Sequence, residues 1–126
     1  MAKLTAADIM KLEVVTIGTE STLEEAARKM LEKHVKCLVV EIGGWPEGLL
    51  TREDIIDRVV THGGELLRIL VKDAMSDPGI IISPELDARI VKKFMIQAKK
   101  EHSVVVDNGK LVGFISFSDL LRHGFL

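Results

Sequence analysis

The chain has 126 residues, 47% of them hydrophobic, 29% charged and only 4% aromatic, with a formal net charge of −2. That is apolar material for one compact domain or two small intertwined halves, and the near-balanced charge argues against bulk attraction to nucleic acid or anionic membranes. With one tryptophan and no tyrosine there is no row of stacking platforms for single-stranded nucleic acid. Met1-Ala2-Lys3-Leu4-Thr5 leads into mixed polar sequence rather than a signal peptide, and no apolar run approaches the roughly 18 residues of a membrane span. The lone Cys37 excludes an intramolecular disulfide and suits a reducing, cytoplasmic setting.

Thr5-Ala6-Ala7-Asp8-Ile9-Met10 reads as a short helical lead-in, and the β-branched run Val14-Val15-Thr16-Ile17 as a buried strand. Thr22-Leu23-Glu24-Glu25 is a capping-box signature for a helix starting at Leu23. Leu23, Ala26, Ala27, Met30 and Leu31 share one apolar face of that helix. Cys37-Leu38-Val39-Val40 is a second strand, Gly43-Gly44-Trp45-Pro46 a turn, and Gly48-Leu49-Leu50 a third strand. A helix then runs to about Val60 and stops at Gly63-Gly64. The order begins again with the lead-in Lys72-Asp73-Ala74-Met75 and the strand Gly79-Ile80-Ile81-Ile82. A helix capped by Asp87 follows, with Ile90, Val91, Phe94, Met95 and Ala98 expected to face inward. Val104-Val105-Val106 pairs with Leu111-Val112-Gly113-Phe114-Ile115 across Asn108-Gly109, the strongest short hairpin signal. Leu120-Leu121-Arg122-His123 belongs to a last helix.

The second half repeats the first. Sliding the chain against itself by 65 residues matches Asp8 with Asp73, Met10 with Met75, Met30 with Met95, Gly48 with Gly113 and Asp54 with Asp119, without a gap. The chain is therefore read as two units, 1–63 and 64–126, each strand–helix–strand–strand–helix. The fold class is α/β (α+β), with two small sheets packing together by a pseudo-two-fold because neither covers both of its faces alone.

Gly48-Leu49-Leu50-Thr51-Arg52-Glu53-Asp54 and Gly113-Phe114-Ile115-Ser116-Phe117-Ser118-Asp119 organise both units. Each is a strand running directly into a helix, with Thr51 or Ser116 as N-cap and an aspartate three residues on, in an exposed first turn. Such a corner also suits an anion at the free N–H groups, with glycine allowing close approach and the aspartate accepting from a ribose diol.

These residues, their order and their duplication resemble a tandem pair of CBS (cystathionine β-synthase) domains, as in stand-alone CBS-domain proteins; the resemblance runs from about Thr5 to His123. It implies a regulatory sensor rather than an enzyme, binding AMP, ADP, ATP or S-adenosylmethionine in the cleft between the repeats. No further cofactor is required and no catalytic or metal-binding residue is assigned. One implied site joins Thr16 with Ser116, Ser118 and Asp119, and the other joins Ile81, where the family has threonine, with Thr51 and Asp54. Gly48 and Gly113 line the motifs, while Lys36 and His102 stand where the family approaches phosphates. Glu101 beside His102 favours AMP over ATP. The family also implies a homodimer, consistent with the surplus of Leu4, Leu66, Leu67, Ile69 and Leu70, and a protein effector whose identity the sequence does not give.

The alternative is a ligand-free dimerisation scaffold in which Asp54 and Asp119 only cap helices. Lys92, Lys93, Lys99 and Lys100 read as a solvated helix face rather than a nucleic-acid surface, and Cys37 as a buried, inert thiol.

Overall fold

The computed structural model describes residues 3–63, 65 and 68–126. Both repeats adopt the expected order, giving a mixed α+β protein with two three-stranded sheets. The chain does not divide into compact units at the joint between the repeats, however. One unit is the continuous segment Val15–Pro78; the other joins the residues up to Val14 to Gly79–Leu126. The boundary expected between 63 and 64 marks the sequence copies, not the packing.

The continuous unit holds β1 (Thr16–Gly18), α2 (Leu23–Lys33), β2 (Cys37–Ile42), β3 (Trp45–Thr51), α3 (Arg52–His62) and α4 (Val71–Ala74). Its sheet has the order β1-β2-β3, with β1 parallel to β2 and β2 antiparallel to β3. Leu23, Ala26 and Met30 of α2 meet Leu38, Val40 and Leu50 of the sheet, and Ile55 and Val71 close the core. The discontinuous unit holds α1 (Ala6–Ile9), β4 (Ile80–Ile82), α5 (Ala88–Ala98), β5 (His102–Asp107), β6 (Lys110–Ser116) and α6 (Phe117–Arg122). Its sheet has the same arrangement in the order β4-β5-β6. Ala6 and Ile9 are buried there with Val91, Met95, Val105, Ile115 and Leu120.

Each lead-in thus completes the unit built from the other repeat. Lys11 exchanges backbone hydrogen bonds with Phe114 of β6 (2.8 and 3.1 Å), and the Ala6 N–H donates to the Leu86 carbonyl at 2.7 Å. In the continuous unit Ser76 does the same with Leu49 of β3 (2.9 and 3.0 Å), while the Val71 N–H donates to the Ser21 carbonyl at 2.7 Å.

Several local expectations shift. The first strand starts at Thr16 rather than Val14. Trp45 and Pro46, expected in the turn, are the first residues of β3, so the turn proper is Gly43-Gly44, both at positive φ (57° and 88°). Pro46 is tolerated because the register with β2 slips between Val40 and Glu41, where a missing N–H costs no regular ladder bond. Asn108 and Gly109 form the expected hairpin turn, also at positive φ. On α5 only Ala88, Val91 and Met95 are buried; Ile90, Phe94 and Ala98 lie outside. Leu31 of α2 is likewise 77% exposed. These apolar stripes are wider than the arc that one small sheet can cover.

Candidate functional site

Both strand-to-helix corners form as the sequence dictates. At the first, the Thr51 hydroxyl accepts from the Asp54 N–H at 3.2 Å, and an Asp54 carboxylate oxygen accepts from the Thr51 N–H at 2.8 Å. The second repeats this box, Asp119 N–H to Ser116 hydroxyl at 3.3 Å and Ser116 N–H to Asp119 carboxylate at 2.8 Å. The first helical N–H in each donates back to the residue before the second strand: Arg52 to the Lys36 carbonyl (2.9 Å) and Phe117 to the Glu101 carbonyl (3.0 Å). Cys37 therefore lies opposite Thr51, and His102 opposite Ser116. The His102 ring also lies against Phe114, centroids 5.2 Å apart.

Beyond the shared box the two aspartates differ. Asp54 is half-buried, and among the described residues its second oxygen meets only the Ser76 hydroxyl, at 3.5 Å. Asp119 is not in an exposed turn: it is 1% exposed. Its Oδ2 takes both the N–H and the hydroxyl of Ser116, while Oδ1 takes Arg122 at 2.7 Å and faces Lys11 at 3.7 Å. Burial pushes the Asp119 carboxyl up, but the two Ser116 bonds, the Arg122 bond and the Lys11 charge outweigh it and hold the group below the usual aspartate range. Arg122 was visible in the sequence as the i+3 neighbour of Asp119 on a helix. Nothing in the sequence pointed to Lys11, which arrives from the far end of the chain with the lead-in.

Some of the remaining expected residues border two grooves, one in each unit. Ser116, Ser118 and His102 border one groove of about 470 Å³ between α5 and α6, together with Lys99, Glu101 and Phe117. Lys36 borders the equivalent groove of about 410 Å³ between α2 and α3, with His34, Arg52, Met30, Val35 and Ile55. Thr16 is half-buried on β1, its carbonyl accepting from the Lys29 ammonium, and Ile81 is exposed on β4. Gly48 and Gly113 do not open a path to the backbone. A Cβ on Gly48 would sit 2.6 Å from the Ser76 carbonyl oxygen and 2.7 Å from Met75 Sδ, and one on Gly113 would strike the Met10 side chain. These glycines make room for the lead-in methionines.

Burial, followed by the nearby charges of Asp54 and Glu53, pushes the Cys37 thiol up to about 12, so it is no nucleophile at neutral pH. Among the described residues no cluster of three or more His, Cys, Asp or Glu side chains is placed to hold a metal ion, and no helix is long and apolar enough to cross a membrane.

The CBS domain family model matches residues 6–61 and 71–125. A protein of Methanopyrus kandleri is 27% identical over 97% of this chain, which spans 63% of that relative. The inosine-5′-monophosphate dehydrogenase of Korarchaeum cryptofilum is 32% identical over 86% of this chain, but only 22% of the enzyme is matched. Among solved structures, the hexameric CBS-CP12 protein from bloom-forming cyanobacteria superposes with a TM-score of 0.84 at 30% identity, covering 98% of this chain and 73% of that one.

Proposed function

Because the chain belongs to the CBS domain family, as two copies in tandem, we propose that it is a cytoplasmic regulatory module, not an enzyme, that binds an adenosine-containing ligand and passes its state to a protein effector. AMP is favoured over ADP, ATP and S-adenosylmethionine, because Glu101 beside His102 disfavours a long polyphosphate. The observation that carries this reading is the duplicated corner, Thr51 with Asp54 and Ser116 with Asp119, in which a carboxylate stands beside a hydroxyl at a chain turn. Ribose hydroxyls donate well to such a carboxylate, and charge-assisted bonds of this kind are among the stronger ones. The dehydrogenase and other enzyme relatives match through this region alone, which supports a regulatory rather than a catalytic role.

Protein stripped of carried-over ligand should gain melting temperature with AMP, since a ligand that favours the native state stabilises it by mass action. Thermal shift with AMP, ADP, ATP and S-adenosylmethionine tests this; no shift with any of the four removes the sensor reading.

A second reading is a ligand-free scaffold. It is favoured by the complete capping boxes, in which Asp119 already has both oxygens engaged, and by the hexameric state of the CBS-CP12 protein. Either reading includes self-association, which we assign to a homodimer. Leu31, Ile56 and Val60 are exposed on the helices of one unit and Ile96, Phe117 and Leu121 on those of the other, apolar side chains of the kind that subunit contacts cover. Leu4 is exposed and Ile69 and Leu70 are half-buried, while Leu66 and Leu67 lie outside the described residues. Light scattering at micromolar concentration should give twice the chain mass; a folded monomer would refute it.

A further inference from the structure

The two units differ in the charge that their helices expose. On α3, Glu53, Ile56, Asp57 and Val60 stand at i, i+3, i+4 and i+7, one exposed face that alternates carboxylates with aliphatic side chains. Arg52 opens that helix off this face, and Arg58 is half-buried, donating to the Asp73 carbonyl. On α5 the charge is reversed. Lys92, Lys93 and Ile96 share a face that continues into Lys99, and the helix contains no acidic residue. Ile96 and Lys99 border the groove against α6. Arg89 is paired with Asp87, but among the described residues Lys92, Lys93 and Lys99 are paired with no carboxylate.

Neither charge belongs to the repeat. The equivalents of Lys92, Lys93 and Lys99 are Ala27, Arg28 and His34, and Arg28 is answered by Glu24 at 2.7 Å. Those of Glu53 and Asp57 are Ser118 and Arg122. The exposed aliphatic groups do match, Leu31 with Ile96 and Ile56 with Leu121. Hydrophobicity alone therefore lets a unit meet either its like or its unlike in a second copy. Charge separates the two. Like on like sets the α5 lysines against the same lysines and the α3 carboxylates against the same carboxylates, and like charges brought into an interface repel. Unlike on unlike sets ammonium groups against carboxylates, with Ile96 beside Ile56 and Val60.

Resting on the homodimer assigned above, we propose that the α5 face docks on the α3 face of a second copy, so that the contact joins the β4-β5-β6 unit of one chain to the β1-β2-β3 unit of the other. Lys92, Lys93, Lys99, Glu53 and Asp57 set this orientation; Ile56, Val60 and Ile96 supply apolar area.

Sedimentation equilibrium of the full chain tests this in two ways. Raising NaCl from about 0.05 M to about 0.5 M shortens the screening length about threefold. It should weaken the wild-type dimer by about tenfold, the scale of two or three exposed ion pairs. Pairing of like units gives the opposite sign. At low salt, Lys93→Glu/Lys99→Glu and Glu53→Lys/Asp57→Lys should each weaken association by about tenfold or more. The fourfold variant carrying both exchanges should regain most of it. That variant keeps the wild-type net charge of −2, so its recovery cannot come from net charge. All four positions are exposed, and far-UV circular dichroism verifies that each variant folds. A dimer that tightens with salt, or exchanges that leave association unchanged or fail to recover in the fourfold variant, overturns the proposal and leaves the homodimer standing. Unchanged association would mean that the α5 lysines face another partner, an acidic protein or an anionic membrane. A wild-type chain that is monomeric at every salt concentration overturns both.

Discussion

Gly48→Ala should cost about 2–3 kcal/mol of stability, the upper part of the range for an added methyl in a closed site. The new Cβ would meet the Ser76 carbonyl oxygen at 2.6 Å. That oxygen accepts the Leu49 N–H at 3.0 Å, while the Ser76 N–H donates back to Leu49 at 2.9 Å, so the backbone cannot retreat without breaking the pair that docks the lead-in on β3. Gly113→Ala is the internal control. The atoms its Cβ would strike belong to the Met10 side chain, a flexible group that can turn aside, so about 1 kcal/mol is expected there. Urea denaturation with an unchanged m-value measures both. Equal losses, or none at Gly48, would contradict the close approach of the Met75-Ser76 segment to β3.

Asp119→Ala should also cost more than an ordinary cap. Losing an N-cap partner costs about 1 kcal/mol, and hydrogen bonds to a charged group contribute about 1.5–3 kcal/mol. Lys11 and Arg122 return to water at little cost, so about 2 kcal/mol is expected in total. Asp54→Ala should lose nearer 1 kcal/mol, since the second oxygen of Asp54 has, among the described residues, only the long Ser76 contact. Acid adds a second readout. The Asp119 carboxyl is held below its ordinary range in the folded protein. Its stabilising contribution is therefore complete above the unfolded value of about 3.9 and is lost as pH falls from there through the lower folded value. Urea melts between about pH 5 and pH 2.5 should show wild type losing stability in that window, with Asp119→Asn losing less. Parallel pH profiles would mean that Asp119 is not held in its charged form.

Much of this was legible in the sequence because it is local. Thr22 with Glu25, Thr51 with Asp54 and Ser116 with Asp119 announce helix starts within four residues. Asn108-Gly109 fixes a hairpin from its own backbone preference, and the repeat carries each assignment from one copy to the other. What was hidden depends on which copy meets which. Met10 and Met75 are equivalent, as are Gly48 and Gly113, so no side-chain match says that Met75 belongs on Gly48 and Met10 on Gly113. For the same reason the glycines read as room for a ligand when they are room for methionine. The repeat also masks divergence. Leu38 lies in the core, but its counterpart Ser103 is equally buried with a hydroxyl that has no hydrogen-bond partner among the described residues. The Lys11–Asp119 pair spans nearly the whole chain, a distance at which periodicity carries no signal.

The exchanged lead-ins set an order on synthesis and folding. Val15–Pro78 is continuous, so once Met75 and Ser76 have emerged it has every strand and helix of its own core and can close as a local unit. Lys11 precedes that unit yet has nowhere to dock until Phe114 exists, and that contact closes a loop of roughly a hundred residues, a late and entropically expensive step. The α1 lead-in thus precedes Val15–Pro78 in sequence and follows it in becoming ordered. Removing it would damage the unit that holds β4, β5 and β6 and spare the one that follows it directly in sequence.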